Sequence, residues 1–148
     1  MRVLGVDYGD RRIGVALSDP SGTFARPFEV VAGEKAFLER LGPWIESEEI
    51  GLVVLGLPLN MDGSHGPKSE QVQGFKERLV ARHGVEVRLW DERLTTAEAD
   101  RYLRLSGLSA HKRRQRIDKV AAQVLLQSYL DWAAASHGDR EAPPAPAE

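Results

Sequence analysis

The chain opens on a nearly unbroken apolar run, Arg2 to Asp7 (RVLGVD), which predicts a strand buried on both faces. A short turn, Tyr8-Gly9-Asp10, separates it from a second apolar run, Arg12 to Ser18, so the two predict a hairpin. Gly9 offers the backbone freedom that a tight turn calls for. A third strand is predicted over Phe28 to Ala32. From Glu34 to Glu48 the period changes. Phe37, Leu38, Leu41, Trp44 and Ile45 recur at three- and four-residue spacing and mark one face of a helix. Pro43 falls inside that pattern and is expected to distort or interrupt the helix, because it removes an amide and crowds the preceding turn.

Leu52 to Gly56 (LVVLG) is short and wholly apolar, as a central strand covered on both faces would be. The loop Leu57 to Lys68, rich in Pro, Gly and Asn, leads to a helix that Ser69 can cap and Gly84 stop. Val85 to Trp90 predicts a further strand. Thr95-Thr96-Ala97-Glu98 fits a capping box that starts a helix reaching about Leu105. Gly107 to Arg116 reads as a polar, basic connection. Ala121, Ala122, Leu125, Leu126 and Tyr129 then mark a last helix, from Ile117 to about Ala135. The order β-β-β-α-β-α-β-α-α predicts one α/β domain over residues 1–135, with a mixed sheet and helices on both faces. Residues 136–148, rich in Pro and Ala, are expected to form a disordered tail.

Composition narrows the class. A chain of 148 residues, 42% hydrophobic and 28% charged, is an ordinary globular protein. It holds no cysteine, which excludes a disulfide scaffold, a thiolate zinc site and a cysteine nucleophile, and fits the cytoplasm. The longest apolar run, Ile50 to Leu59, falls far short of the roughly 20 residues of a membrane span, so no membrane partner is expected. Asp7 and Asp10 stand where an export signal would need apolar residues.

The net charge of −2 conceals an asymmetry. Between Arg101 and Val120 seven basic residues face one acid, so this stretch is +6 and the remainder −8. Such segregation predicts a local surface for a polyanion. Lys112, Arg113, Arg114 and Arg116 form its densest part, placed to grip the phosphates beside a scissile bond.

Three carboxylates at element ends carry the candidate chemistry. Asp7 ends a buried strand, where an acid is costly unless it accepts turn amides or holds a cation. Asp91 and Glu92 end the last strand and must point to opposite faces, so only one can share a site with Asp7. Asp118 opens the last helix, where the macrodipole favours an acid, just after the basic run. Oxygen donors of this kind suit Mg²⁺ or Mn²⁺ and phosphodiester hydrolysis. The four histidines are scattered without ligand spacing and read as solvent-facing.

The motifs VDYGDRRIGVALSD (Val6 to Asp19), VLGLPLNMDGS (Val54 to Ser64), WDERLTTAEA (Trp90 to Ala99) and IDKVAAQVLLQSYL (Ile117 to Leu130) resemble the YqgF (RuvX) family of ribonuclease H-like nucleases. The resemblance spans Arg2 to Trp132. It implies a ribonuclease H-like fold, a five-stranded mixed sheet of order 3-2-1-4-5 flanked by α-helices. It also implies a catalytic, metal-holding set of Asp7, Glu92 and Asp118, with Mg²⁺ or Mn²⁺ as cofactor. Arg11 and Arg12 join Lys112, Arg113, Arg114 and Arg116 as candidate nucleic-acid-binding residues. Related RuvC-type resolvases carry an acid at the end of the fourth strand. This chain has Gly56-Leu57-Pro58 there, so its site is not simply theirs. The family implies two roles, trimming the 5′ end of pre-16S rRNA or resolving Holliday junctions. The expected partner is therefore that RNA or branched DNA, and a two-fold symmetric junction would suit a homodimer. Two other classes are open on the residues alone: an RNA-binding ribosome-assembly factor without catalysis, and an actin-like ATPase suggested by Asp7-Tyr8-Gly9. A single domain without a second phosphate loop argues against the ATPase.

Overall fold

A computed structural model describes residues 1–60, 62–91 and 110–135, with side chains in the last stretch from Val120 onward. Five strands, β1 (Arg2–Tyr8), β2 (Ile13–Ser18), β3 (Ala25–Val31), β4 (Ile50–Leu57) and β5 (Glu86–Asp91), form one sheet of order β3-β2-β1-β4-β5. β1 and β2, and β2 and β3, pair antiparallel, whereas β1, β4 and β5 run parallel. Helices α1 (Glu34–Ser47) and α2 (Pro67–His83) cover one face, and α3 (Ala110–Ala135) covers the other. This is the expected ribonuclease H-like sheet, with the expected strand order.

Strand alternation divides the core in two. Leu4, Val6, Ile13, Val15, Leu17, Val53 and Leu55 point toward α1 and α2, where Phe37, Leu41, Phe75 and Leu79 are fully buried. Ala16, Ala25 and Val54 point the other way, against Ala122, Leu125, Leu126 and Tyr129. Each fully buried leucine contributes roughly 1.5–3 kcal/mol. The buried hydroxyl of Ser18 accepts a 2.8 Å bond from the Val3 amide, beside the register shift at Arg2/Val3, and donates to the Asp19 carbonyl at 2.9 Å. Ser18→Ala leaves both groups short of a partner and should cost about 1–3 kcal/mol in a denaturant melt.

The β2–β3 loop is organised by Asp19. Its carboxylate accepts from the amides of Thr23 (2.8 Å) and Phe24 (3.0 Å) and from the Ser21 hydroxyl (2.7 Å). These bonds, that of Ser21 first, hold its pKa down at about 2, against an ordinary 3.8. A depressed acid stabilises the loop above its unfolded pKa and loses that effect as pH falls through the folded one. An NMR titration should therefore place the Asp19 midpoint near 2, with the Thr23 and Phe24 amides shifting alongside it.

Several local expectations change. β3 starts at Ala25 rather than Phe28, because an edge strand tolerates Arg26 and Pro27 on exposed backbone. α1 runs through Pro43 without a break; Pro43 lies on the solvent face, where water can reach the carbonyl it leaves unbonded. Gly9 does not adopt a left-handed backbone. Its role is close approach, since a Cβ there would meet the Arg12 carbonyl oxygen at 2.5 Å.

Ser69 is not the cap of α2. The helix starts two residues earlier at Pro67, and Ser69 is buried in its first turn. α2 does end on Gly84, left-handed at φ 64°. α3 starts at Ala110, so the basic run is helical rather than a connection, consistent with the good helix propensity of Lys, Arg and Gln. Asp118 consequently stands in the third turn, beyond the reach of the helix N-terminal dipole. The helix expected from Thr95 to Leu105 and the tail from residue 136 lie outside the described residues.

Candidate active site at the carboxyl ends of the parallel strands

Because β1, β4 and β5 are parallel, their carboxyl ends share one end of the sheet. The chain leaves β1 toward β2 and β4 toward β5, so the order reverses between β1 and β4. Crevices at such switch points are where open α/β sheets bind ligands.

Asp7 occupies that end, on the strand next to the switch, and is half-buried. Leu4, Val6 and Tyr8 pack toward α1 and α2, so alternation places Asp7 on the α3 face with Gly5. Gly5 is where α3 comes closest: a Cβ there would lie 2.7 Å from Leu126 Cβ and 3.2 Å from the Ala122 carbonyl oxygen. The residues beside Asp7 on this face are also glycines, Gly14 on β2 and, one step past the Val6–Leu55 pair, Gly56 on β4. The two residues that flank Asp7 in the ladder therefore carry no side chain of their own. Gly56 and Leu57 also confirm that the end of β4 carries no acid.

The direction of α3 follows from its glutamines. Gln123 donates to the Ala25 carbonyl (3.2 Å), while Gln127, one turn later, accepts from the Ala25 amide (2.9 Å) and donates to the Thr23 carbonyl (2.9 Å). The later turns thus lie toward the start of β3, and α3 runs antiparallel to β1. Its first turns, with Lys112, Arg113, Arg114, Arg116 and Asp118, are directed to the end of the sheet at which Asp7 sits. The side chains of these five residues lie outside the described set, as does Glu92 entirely. Asp91 ends β5 on the side of Val87 and Leu89, which pack toward α1 and α2, and so faces away from Asp7. Arg11 and Arg12 lie exposed in the β1–β2 turn at the Asp7 end. Among the described residues no group of three or more His, Asp or Glu side chains is assembled to hold a metal.

Two supports of this end were not visible in the sequence. The first is a network behind Asp7. The Tyr8 hydroxyl donates to Glu34 Oε1 at 2.9 Å, and the Arg78 guanidinium grips both Glu34 oxygens at 2.5 and 2.9 Å. The Tyr8 ring lies 4.4 Å from that of Phe75. Arg78 holds the Glu34 carboxyl below the usual carboxylate range. Burial and the bond to Glu34 push the Tyr8 phenol up. The network ties the last residue of β1 to α1 and α2 and so fixes the backbone that carries Asp7.

The second support shapes the β4–α2 loop. Asn60 and Ser64 close it through a 2.9 Å backbone bond and a 3.0 Å side-chain bond, and Asp62 Oδ1 accepts from the Ser64 amide and hydroxyl. His65 Nδ1 lies 2.5 Å from the buried Ser69 hydroxyl, to which Gln73 also donates at 3.1 Å. His83 reaches the Leu38 carbonyl at 2.8 Å. Both histidines are half-buried and bonded, not solvent-facing as expected, because each meets a polar group on the adjacent helix. His111 and His137 lie outside the described side chains.

Among the described residues no helix is long and apolar enough to cross a membrane. The RuvX family model, described as a Holliday junction resolvase, matches residues 1–132. A relative from Pelotomaculum thermopropionicum, named "Putative pre-16S rRNA nuclease", is 46% identical over 134 residues, 88% of this chain and 87% of that protein. One of the same name from Halothermothrix orenii is 44% identical over 140 residues, covering 93% of this chain and 100% of its own. Among solved structures, Thermus thermophilus RuvC in complex with a Holliday junction substrate superimposes with a TM-score of 0.62 at 15% identity, covering 91% of this chain and 96% of that one. At that identity the likeness is one of fold. The family match over nearly the whole chain and the 44–46% identical relatives together show that this protein belongs to the RuvX family.

Proposed function

We propose that this protein is a divalent-metal-dependent nuclease that hydrolyses phosphodiester bonds at the 5′ end of pre-16S rRNA, in the cytoplasm. The observation that carries this reading is Asp7, at the carboxyl end of β1, on the same face as the helix that bears Asp118 and the basic run. Support for the RNA substrate comes from the relatives' name, at 44–46% identity.

The donor set fits a hard cation: Asp7, Glu92 and Asp118 offer only carboxylate oxygens, and the chain has no cysteine to compete for it. These three acids would hold Mg²⁺ or Mn²⁺. A bound ion of this kind supplies Lewis acidity and a water of lowered pKa. The remaining work falls to the chain's own residues. Asp7, on a strand end held by the Tyr8–Glu34–Arg78 network, provides a fixed oxygen donor. Lys112, Arg113, Arg114 and Arg116 on α3, with Arg11 and Arg12 in the β1–β2 turn, bind the phosphates on either side of the scissile bond. Their contribution weakens with salt.

A second reading, resolution of Holliday junctions, is favoured by the description of the family model, and a two-fold symmetric junction would suit a homodimer. Cleavage of a pre-16S 5′-leader RNA and of a four-way DNA junction, side by side with Mg²⁺ or Mn²⁺, separates the two. Trimmed RNA beside an intact junction supports the first reading. Symmetric nicks in the junction, with a dimer in sedimentation, support the second. If neither is cut and RNA is still bound, the protein is a non-catalytic ribosome-assembly factor.

A further inference from the structure

The outer edge of the sheet carries a strip of cations and aromatic rings that the proposed catalysis does not use. β3 is an edge strand. The Arg26 guanidinium lies 5.6 Å from the centroid of the Phe28 ring, Phe28 meets Trp44 of α1 edge-on at 5.1 Å, and Arg40 lies 4.9 Å over the Trp44 ring. The register shift opposite Val15/Ala16 makes Phe28 the extra residue of a bulge, a device that re-aims a side chain.

Phe24 extends the strip. The bond from the Asp19 amide to the Phe24 carbonyl (3.0 Å) continues the β2–β3 ladder one residue past the strand. Ala25 is buried against α3, so Phe24 and Arg26 fall on the opposite face, where Phe24 is 68% exposed.

The chemistry selects one kind of occupant. Aromatic rings with Arg also occur at protein interfaces, but a guanidinium left without an acid calls for an anionic partner. Here guanidinium groups interrupt the rings, and Arg26 has no ion pair among the described residues, while Glu29 pairs with Arg40 at 3.3 Å. The Asp19 carboxylate beside Phe24 is taken up by its own loop. Rings flanked by cations suit a ligand with π-faces and negative charge, the bases and phosphates of a nucleic acid. Phe24 and Arg26, alternate residues on one strand face, stand about 6.6 Å apart, twice the base-pair stacking step of roughly 3.4 Å, so this part of the strip suits an unpaired, stretched strand rather than a duplex. It lies at the sheet's edge two strands, about 10 Å, to the side of β1, on the α1 side of the sheet rather than the α3 side that Asp7 faces, and leads away from the Asp7 end.

We propose that Phe24, Arg26, Phe28, Trp44 and Arg40 bind a single-stranded segment of nucleic acid flanking the bond to be cut. This rests on the reading of the substrate as nucleic acid, but its test reads binding rather than cleavage. Fluorescence anisotropy of a labelled oligouridine and of a blunt RNA duplex would be recorded with the full chain in EDTA. Phe24→Ala and Arg26→Ala alter exposed side chains. Each should weaken oligouridine binding about 5- to 100-fold and leave duplex binding unchanged. Arg26→Lys keeps the charge, and should retain the salt dependence while losing affinity.

Wild-type affinity in both alanine variants would overturn the proposal, as would a wild-type protein that prefers the duplex. It would also fall if Phe24→Ala turned a dimer into a monomer while oligouridine affinity stayed constant. Loss of oligouridine binding in a protein that cuts neither substrate would leave the strip standing and remove only the nuclease reading. Conversely, cleavage abolished by Asp7→Asn, with binding untouched by Phe24→Ala, would remove only the strip.

Discussion

Asn in place of Asp7 should lower kcat by about a thousand-fold or more, equivalent to roughly 4 kcal/mol of lost transition-state stabilisation. The exchange keeps the size of the side chain and removes its charge, so it isolates the role of the carboxylate. Asp7 is half-buried on a strand whose neighbouring residues are paired on both sides, so the backbone should hold its place. Stability should hold as well, since one negative charge fewer relieves repulsion within the proposed set of three acids. Single-turnover cleavage read alongside a thermal melt checks both halves. A loss of less than ten-fold with an unchanged melt would remove Asp7 from the catalytic set.

Gly5→Ala should injure stability and activity together. The new Cβ would meet Leu126 Cβ at 2.7 Å and the Ala122 carbonyl oxygen at 3.2 Å. One is the root of a side chain and the other is backbone, so neither can swing aside by a rotamer change, and α3 itself must shift. Overpacking of this kind costs about 1–3 kcal/mol. Because α3 also bears Asp118 and the basic run, a displacement approaching 1 Å should lower kcat by about 100-fold. Denaturant melts and kcat, measured on the same preparation, check the coupling. A stability loss with undiminished kcat would mean that α3 does not position the site.

Much of this architecture was legible because its signals are local. Unbroken apolar runs at Arg2 and Leu52 mark strands covered on both faces, and both are. Alternation separated Asp91 from Glu92, and Asp91 does face away from Asp7. What escaped depends on partners far along the chain. Ser69 looks like a cap by spacing, yet its hydroxyl is fixed by His65 and Gln73. Glu34 looks like an ordinary first-turn acid, but Tyr8 and Arg78 converge on it from other elements. The Gly14–Asp7–Gly56 row appears only once the register is known. Phe24 and Arg26 lie before the strand predicted from Phe28, and only the ladder places them on the edge of the sheet. The basic run is polar throughout and reads as a connection, although its Lys, Arg and Gln are good helix formers and the run is helical.

The central claim is that Asp7, Glu92 and Asp118 form one metal-holding site, and calorimetric titration with Mn²⁺ addresses it most directly. The wild-type chain would be compared with Asp7→Asn, Glu92→Gln and Asp118→Asn, all without nucleic acid. Each variant should weaken Mn²⁺ binding at least about ten-fold, because every ligand removed takes one charged oxygen donor from the same ion. Wild-type affinity in Glu92→Gln or Asp118→Asn would contradict a shared site and leave Asp7 without the partners assigned to it.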